Sequence, residues 1–384
     1  MRTRLFVLAL LYLTLGLKAQ VRVGAERMEQ LLPLIKGQRI ALMGNQSSIV
    51  GTDQTHLLDT LLALGVDVRK VFVPEHGFRG TVDAGKYVRN GRDMKSGIPI
   101  VSLYGKQKRP TQAMLSDVDL ILFDLQDVGA RFYTYISSLH YIMEAAQEQG
   151  KTIVICDRPN PNDYIDGPIL EDDCRSFIGM HPIPVMHGLT VGELAGMING
   201  EGWLRSGKPC RLEVIKVEGW QHGQPYSLPV RPSPNLPDDQ SIELYPSLCF
   251  FEASILSVGR GTDKPFKQIG YPHKAFGKHR FTPKVILGAD SNPKHKDRLC
   301  YGIDLSREQA SRKLSLKWLI DYHRLAGKQG LELIDRRRTF DLLIGNKKLY
   351  HQIQEGLSEA EIRATWQAGL DQYKETRRKY LLYP

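Results

Sequence analysis

The sequence predicts an α/β fold built on a mostly parallel sheet, followed by a helical C-terminal region. Two observations carry this. Short, continuously apolar runs alternate with helical patterns through the first half of the 384 residues. That alternation is the mark of βαβ units, and the unbroken apolar runs fit a sheet covered on both faces. From about residue 217 the character changes: residues 221–247 are rich in Pro with few periodic segments, and the tail beyond them is helical. A domain join is placed there. With 42% hydrophobic and 24% charged residues, the chain is of ordinary globular composition and long enough for two packed domains.

Residues 1–19 are read as lying outside the fold. Arg2 and Arg4 precede a continuous apolar run, residues 5–17, and a small residue, Ala19, follows Lys18. This is the pattern of a secretory signal peptide cleaved near Ala19. The run is short for a bilayer span, and no Cys directly follows it to carry a lipid anchor. The expectation is export to the periplasm or beyond, with no stable membrane insertion after signal cleavage.

Within the mature chain, residues 39–43, 68–73, 99–103, 120–123, 152–155 and 212–216 read as strands. Residues 53–64 read as a helix capped by Thr52 or Asp53, and residues 133–149 as a helix closed by Gly150. Thr190-Val191-Gly192-Glu193 fits a capping box, as do Ser306-Arg307-Glu308-Gln309, leading to Leu316, Leu319 and Ile320, and Ser358-Glu359-Ala360-Glu361. Ile362, Trp366, Leu370 and Tyr373 recur at helical spacing and are assigned to the core.

The formal charge is +10. An exported basic protein favours an anionic polymer such as cell-wall glycan. Nucleic acid is not expected as a partner, because basic residues are scattered apart from Arg336-Arg337-Arg338 and Arg377-Arg378-Lys379, both read as solvated faces. The five cysteines are odd in number and form no C-x-x-C pair. Mostly buried thiols are expected, without a zinc site, although one disulfide is compatible with an oxidising compartment.

In an open α/β sheet, ligands bind beyond the carboxyl ends of the strands. Those ends here are polar: Asn45-Gln46, Glu75-His76-Gly77, Tyr104-Gly105, Asp124 to Arg131, and Asp157-Arg158-Pro159-Asn160. Glu75 is the candidate general acid, since a carboxyl just past a buried strand is placed for a raised pKa. A structural Glu bonded to a neighbouring loop is the plainer reading. His76 is assigned to orienting Glu75, contacting sugar or packing. Asp127 is the preferred second carboxylate, with Asp124 and Asp157 as the other acids of the rim, each equally suited to capping a loop. Glycoside cleavage usually needs two carboxyl groups, or one steering the attack of a substrate acetamido oxygen. Arg131 and Arg158 are suited to bidentate binding of a carboxylate, or to an internal pair with Asp157 or Asp127. Tyr133 and Tyr135 are candidates to line a pocket or to be buried at a helix start. Later in the chain come Asn235, Glu252 and Arg260. Nucleotide-loop, zinc-peptidase and nucleophile-elbow motifs are missing, so no cofactor or metal is expected.

Taken together, these strings resemble the NamZ exo-β-N-acetylmuramidases. The matching segments are Gly44-Asn45-Gln46, Pro74-Glu75-His76-Gly77, Asp124-Leu125-Gln126-Asp127-Val128-Gly129 with Arg131-Phe132-Tyr133-Thr134-Tyr135, and Asp157-Arg158-Pro159-Asn160-Pro161. Ser233-Pro234-Asn235, Gly259-Arg260-Gly261-Thr262 and Tyr380-Leu381-Leu382-Tyr383 follow in the same order. The resemblance implies a Rossmann-like N-terminal domain over residues 20–220, a smaller α+β C-terminal domain over 221–384, and a cleft between them. It also implies release of N-acetylmuramic acid from the non-reducing end of peptidoglycan fragments, in cell-wall turnover, without metal or nucleotide. From position and chemistry, supported by the motif match, the site residues are Glu75, His76 and Asp127 as catalytic groups, with Asn45, Gln46, Asp124, Arg131, Tyr133, Tyr135, Asp157, Arg158, Asn160, Asn235, Glu252 and Arg260 binding a glycan or muropeptide. The alternative from another class is a periplasmic muropeptide- or sugar-binding protein that uses the same cleft without turnover. A sugar esterase is disfavoured by the missing motifs.

Overall fold

The computed structural model describes residues 20–75, 77–79, 90–309 and 311–384. The signal-peptide reading and the role given to His76 fall outside these. In chain order the strands are β1 (Ile40–Gly44), β2 (Ile49–Val50), β3 (Thr55–His56), β4 (Val68–Val73), β5 (Gly91–Arg92), β6 (Pro99–Ser102), β7 (Leu120–Asp124), β8 (Thr152–Cys156), β9 (Ile165–Ile169), β10 (Pro184–His187), β11 (Arg211–Ile215), β12 (Gln268–Tyr271), β13 (His279–Phe281) and β14 (Cys300–Asp304). The helices are α1 (Met28–Ile35), α2 (Leu57–Ala63), α3 (Gln112–Leu115), α4 (Tyr135–Glu148), α5 (Val191–Gly200), α6 (Asp239–Leu248), α7 (Lys317–Lys328), α8 (Arg337–Ile344), α9 (Lys348–Gln354), α10 (Glu359–Ala364) and α11 (Gln367–Arg378).

Seven strands form one sheet in the order β11-β8-β7-β1-β4-β6-β5. Every pairing in it is parallel except that of β5 with β6 at the edge. The chain builds outward from β1 through β4 and β6, then returns to the other side of β1 at β7. The order therefore reverses between β1 and β7, which places a ligand crevice beyond their carboxyl ends.

Residue pattern explains the layers. All five residues of β1 and of β7 are buried, as expected of central parallel strands. Their side chains alternate between two cores. Ile40, Leu42, Leu120 and Leu122 point into the cluster that contains Leu31, Leu57 and Leu61 of α1 and α2. Ala41, Met43, Ile121 and Phe123 point into a larger cluster with α4 and α5. That larger cluster continues through Phe250, Phe251, Trp318 and Phe340, so the sheet domain and the C-terminal region share one apolar core. The C-terminal region carries a small antiparallel sheet, β12-β14-β13, and helices α7 to α11.

Two capping boxes form as read. Glu193 N–H donates to Thr190 Oγ1 at 3.3 Å while Thr190 N–H donates to Glu193 Oε2 at 2.9 Å, and Ser358 with Glu361 repeats this at α10. Ile362, Trp366, Leu370 and Tyr373 are buried. Two helix starts differ from the sequence reading. The helix expected from residue 53 begins at Leu57, because the β2–β3 hairpin precedes it and His56 Nδ1 accepts the Leu58 N–H at 3.1 Å. Ser306 caps no helix: its hydroxyl donates to Asp304 Oδ1 at 2.6 Å in a turn, and α7 starts at Lys317. All five cysteines are buried and unpaired.

Candidate active site

The strand ends first build a rigid, buried polar floor. Arg158 Nε and Nη2 donate to the two oxygens of Asp124 at 2.7 and 2.9 Å, and both side chains are buried. A buried pair of this kind needs bidentate geometry to offset desolvation. Asp157 accepts from the Thr190 hydroxyl, the Gly192 N–H and the Tyr383 hydroxyl at 2.6, 2.8 and 2.6 Å. It thereby joins the start of α5 and the C-terminus to β8. Burial pushes the Asp157 carboxyl up to about 6 despite these donors. Asn160 donates to the Leu189 carbonyl at 3.0 Å, and a Cβ on Gly129 would lie 2.3 Å from Asn160 Oδ1.

Asp127 belongs to this floor. Its Oδ2 accepts the Gly129 N–H at 2.7 Å and lies 3.3 Å from His187 Nε2. Its Oδ1 is buried with no hydrogen-bond partner among the described residues. The residue lines neither part of the cavity described next.

Above the floor lies a chamber of about 820 Å³, ending in a recess of about 60 Å³. Glu75, Phe132, Thr134, Tyr245 and Arg260 line both. Glu75 stands two residues past β4, half-buried, with the Thr134 hydroxyl 3.5 Å from its Oε2. Tyr104, just past β6, lines the chamber beside it. Burial and then the Glu75 carboxylate push the Tyr104 phenol well above its ordinary value, so it remains a neutral donor.

The recess is aromatic. Tyr133 and Tyr135 meet edge to face at 4.8 Å, and burial raises both phenols above their ordinary value. Their hydroxyls donate to the Pro232 carbonyl at 2.9 and 3.4 Å, and Gln46 Nε2 donates to the same oxygen at 3.0 Å. Asn45 Nδ2 donates to the Tyr135 hydroxyl at 2.8 Å. Strand-end residues thus fix the loop carrying Ser233 and Asn235, which line the recess. Asn235 Nδ2 donates to the Ala289 carbonyl at 3.0 Å.

The C-terminal region supplies the opposite wall. Arg260 Nη2 pairs with Glu252 Oε1 at 2.6 Å, and both line the chamber. Asp290, Lys294, Lys296 and Arg336 join them. Sequence reasoning missed Asp290, Lys294, Lys296 and Thr134, read Arg336 as part of a solvated basic face, and noted Tyr104 only as a strand end. Tyr104 and Thr134 had a positional signal at strand ends. Lys294 and Lys296 sit in a loop with no periodicity or motif, and Arg336, in the basic run at the start of α8, gave no signal that it faces a cavity.

Neither Arg131 nor Arg158 reaches the chamber to bind a substrate carboxylate. Arg158 is held by Asp124, not by Asp157 or Asp127. Arg131 is fully buried and has no carboxylate partner among the described residues. Its Nη1 donates to the Pro168 and Ile183 carbonyls at 3.0 and 2.7 Å, and its Nη2 to the Leu343 and Ile344 carbonyls at 3.3 and 2.7 Å. The last two are orphan acceptors at the C-terminal end of α8, where a cation is favoured. Asn45, Gln46, Asp124, Asp157 and Asn160 likewise support the site from below or beside it. Of the predicted residues, the cavity brings together Glu75, Tyr133, Tyr135, Asn235, Glu252 and Arg260.

Comparison with known proteins gives a consistent result. Residues 40–240 match the family model described as exo-beta-N-acetylmuramidase NamZ, N-terminal, and residues 243–383 match its C-terminal counterpart. The chain is 37% identical over 370 residues to the peptidoglycan beta-N-acetylmuramidase NamZ of Bacillus subtilis strain 168, covering 91% of this chain and 88% of that protein. The crystal structure of a DUF1343 family protein from Bacteroides fragilis NCTC 9343 superposes with a TM-score of 0.87 at 40% identity, covering 95% of this chain and 99% of that one. A second protein of that family and organism gives 0.80 at 29% identity, with the same coverage.

Proposed function

The chain belongs to the NamZ family of exo-β-N-acetylmuramidases, and on that premise we propose that Glu75 is the general acid with which it releases terminal N-acetylmuramic acid from peptidoglycan fragments. The chain is a glycosidase of cell-wall peptidoglycan. The observation that carries the assignment is the position of Glu75, where the wide chamber narrows into the aromatic recess. There its carboxyl is flanked by the Thr134 hydroxyl and the neutral Tyr104 phenol.

The bond cleaved is that between the anomeric carbon of the muramic residue and the oxygen of the next sugar. Glu75 donates a proton to that oxygen as the bond breaks, water supplies hydroxyl to the anomeric carbon, and the water's remaining proton restores Glu75. Asp127, which does not line the recess, is assigned to positioning, through Gly129 and His187. Glu252 and Asp290 are the other carboxylates lining the chamber.

The test is to incubate the protein with the disaccharide N-acetylmuramyl-N-acetylglucosamine and weigh the products. Two free monosaccharides are expected. Loss of an acyl group alone, or an intact disaccharide held without turnover, contradicts the reading. Export is proposed on the pattern of residues 1–19, and sequencing the N-terminus of the secreted protein should find Gln20. An N-terminus at Met1 in cytosolic protein would count against it.

A further inference from the structure

The outer part of the chamber holds cations for which the chemistry at Glu75 has no use. Lys294, Lys296 and Arg336 line the chamber but not the recess. Lys296 and Arg336 are exposed, and among the described residues neither side chain makes an ion pair or hydrogen bond. Lys294 Nζ donates to the Ser254 carbonyl and lies 4.0 Å from Asp335 Oδ2. Against them, Glu252 is already paired with Arg260, and Asp290, which accepts the Asn292 N–H at 3.0 Å, makes no ion pair among the described residues. The cations come from two loops of the C-terminal region, so no single structural element accounts for their meeting.

Resting on the glycosidase reading, we propose that Lys294, Lys296 and Arg336 form a carboxylate-recognition wall that takes the lactyl carboxylate of muramic acid. That group is what distinguishes N-acetylmuramic acid from N-acetylglucosamine. A guanidinium fits a carboxylate through two parallel hydrogen bonds, and an ammonium adds a mobile point charge. The two arginines favoured by the sequence are buried in the scaffold, so the selectivity comes from the C-terminal wall instead. The carboxylate belongs either to the terminal sugar being released or to the next muramic residue along the strand.

The experiment compares wild type with the double variant Lys296→Glu/Arg336→Glu, both positions being exposed. The substrates are the para-nitrophenyl β-glycosides of N-acetylmuramic acid and N-acetylglucosamine, and the alternating tetrasaccharide that begins with muramic acid. Charge reversal should lower kcat/KM on carboxylate-bearing substrate about ten-fold or more. The loss should fall on KM, and the salt dependence of wild type should flatten. Loss on the muramic glycoside, with the glucosamine glycoside unaffected, assigns the wall to the terminal sugar. Loss on the tetrasaccharide alone assigns it to the next muramic residue. Unchanged kinetics on every substrate overturn the wall. A wild type that cleaves none of them overturns the hydrolase reading instead. In that case, titration with free N-acetylmuramic acid and N-acetylglucosamine still tests the wall, which requires tighter binding of the acid, lost in the variant.

Discussion

A guanidinium wholly surrounded by protein is the clearest case of a residue whose chemistry and role diverge. Arg131 looks like a substrate-binding cation in the sequence, because it follows a strand end and begins an aromatic run. In the structure its arms satisfy four carbonyl oxygens, two of them at the end of α8. Burial pulls its pKa down to about 9, so it stays charged at neutral pH. Gly345, at φ 85°, lets the chain pass against it, since a Cβ there would lie 2.3 Å from Nη2. Arg131→Met should therefore cost about 3 kcal/mol in a denaturant titration, as buried carbonyls lose their donors. The same variant assayed below its melting range should keep its KM, whereas a substrate contact would raise it. Glu75 was legible because it is a lone carboxyl just past an apolar strand. The cationic wall was not, because loop residues separated by about forty positions meet only through the fold.

At the scale of elements, the strands and their polar ends could be read from the sequence because burial imposes its pattern locally. All six expected strands start and end within one residue of the observed ones, and β11, an edge strand, alternates as an edge should. The starts of α2 and α7 were not legible, since a short hairpin and an Asp–Ser turn compete locally with helix caps. The loop after β7 shows what such turns demand. Gly129 has φ 78° and touches Asn160. Gly129→Ala combines left-handed strain with a clash, and should lower stability by about 2 kcal/mol or more, measured by thermal melting. A melt unchanged by the substitution would show that the loop relaxes. The segment after β11 offers a pH test. Burial lowers the His222 pKa, but the Asp163 and Glu193 carboxylates, each 2.9 Å away, raise it further, to about 9. Arg377 also faces it, at 3.2 Å from Nδ1. A histidine raised above its unfolded value contributes stability that is full below about pH 6.5 and is lost as pH rises through about 9. Wild type should lose on the order of 2 kcal/mol across that window. His222→Gln should lose less, and parallel curves for the two would remove His222 as the cause.

Over the whole molecule, one apolar core spans the sheet and the C-terminal region, and the last residues return to the sheet domain. Val217 N–H donates to the Tyr383 hydroxyl, which in turn donates to Asp157, at 2.9 and 2.6 Å. The cavity is built from both parts: the strand ends provide the acid and the aromatic recess, and the later loops provide the charged wall. The family resemblance was readable because its motifs are contiguous strings, most of them at strand ends, where buried polar residues such as Asp124 and Arg158 are held by specific partners. The central claim is that Glu75 supplies the proton for glycoside cleavage. The most direct test follows release of N-acetylglucosamine from the disaccharide N-acetylmuramyl-N-acetylglucosamine, whose sugar leaving group needs protonation, by the protein and by Glu75→Gln. The account predicts a fall in kcat of about 10²–10⁴-fold, with the fold intact and sugar binding retained. A variant as fast as wild type would contradict it and move the acid to another carboxyl of the chamber.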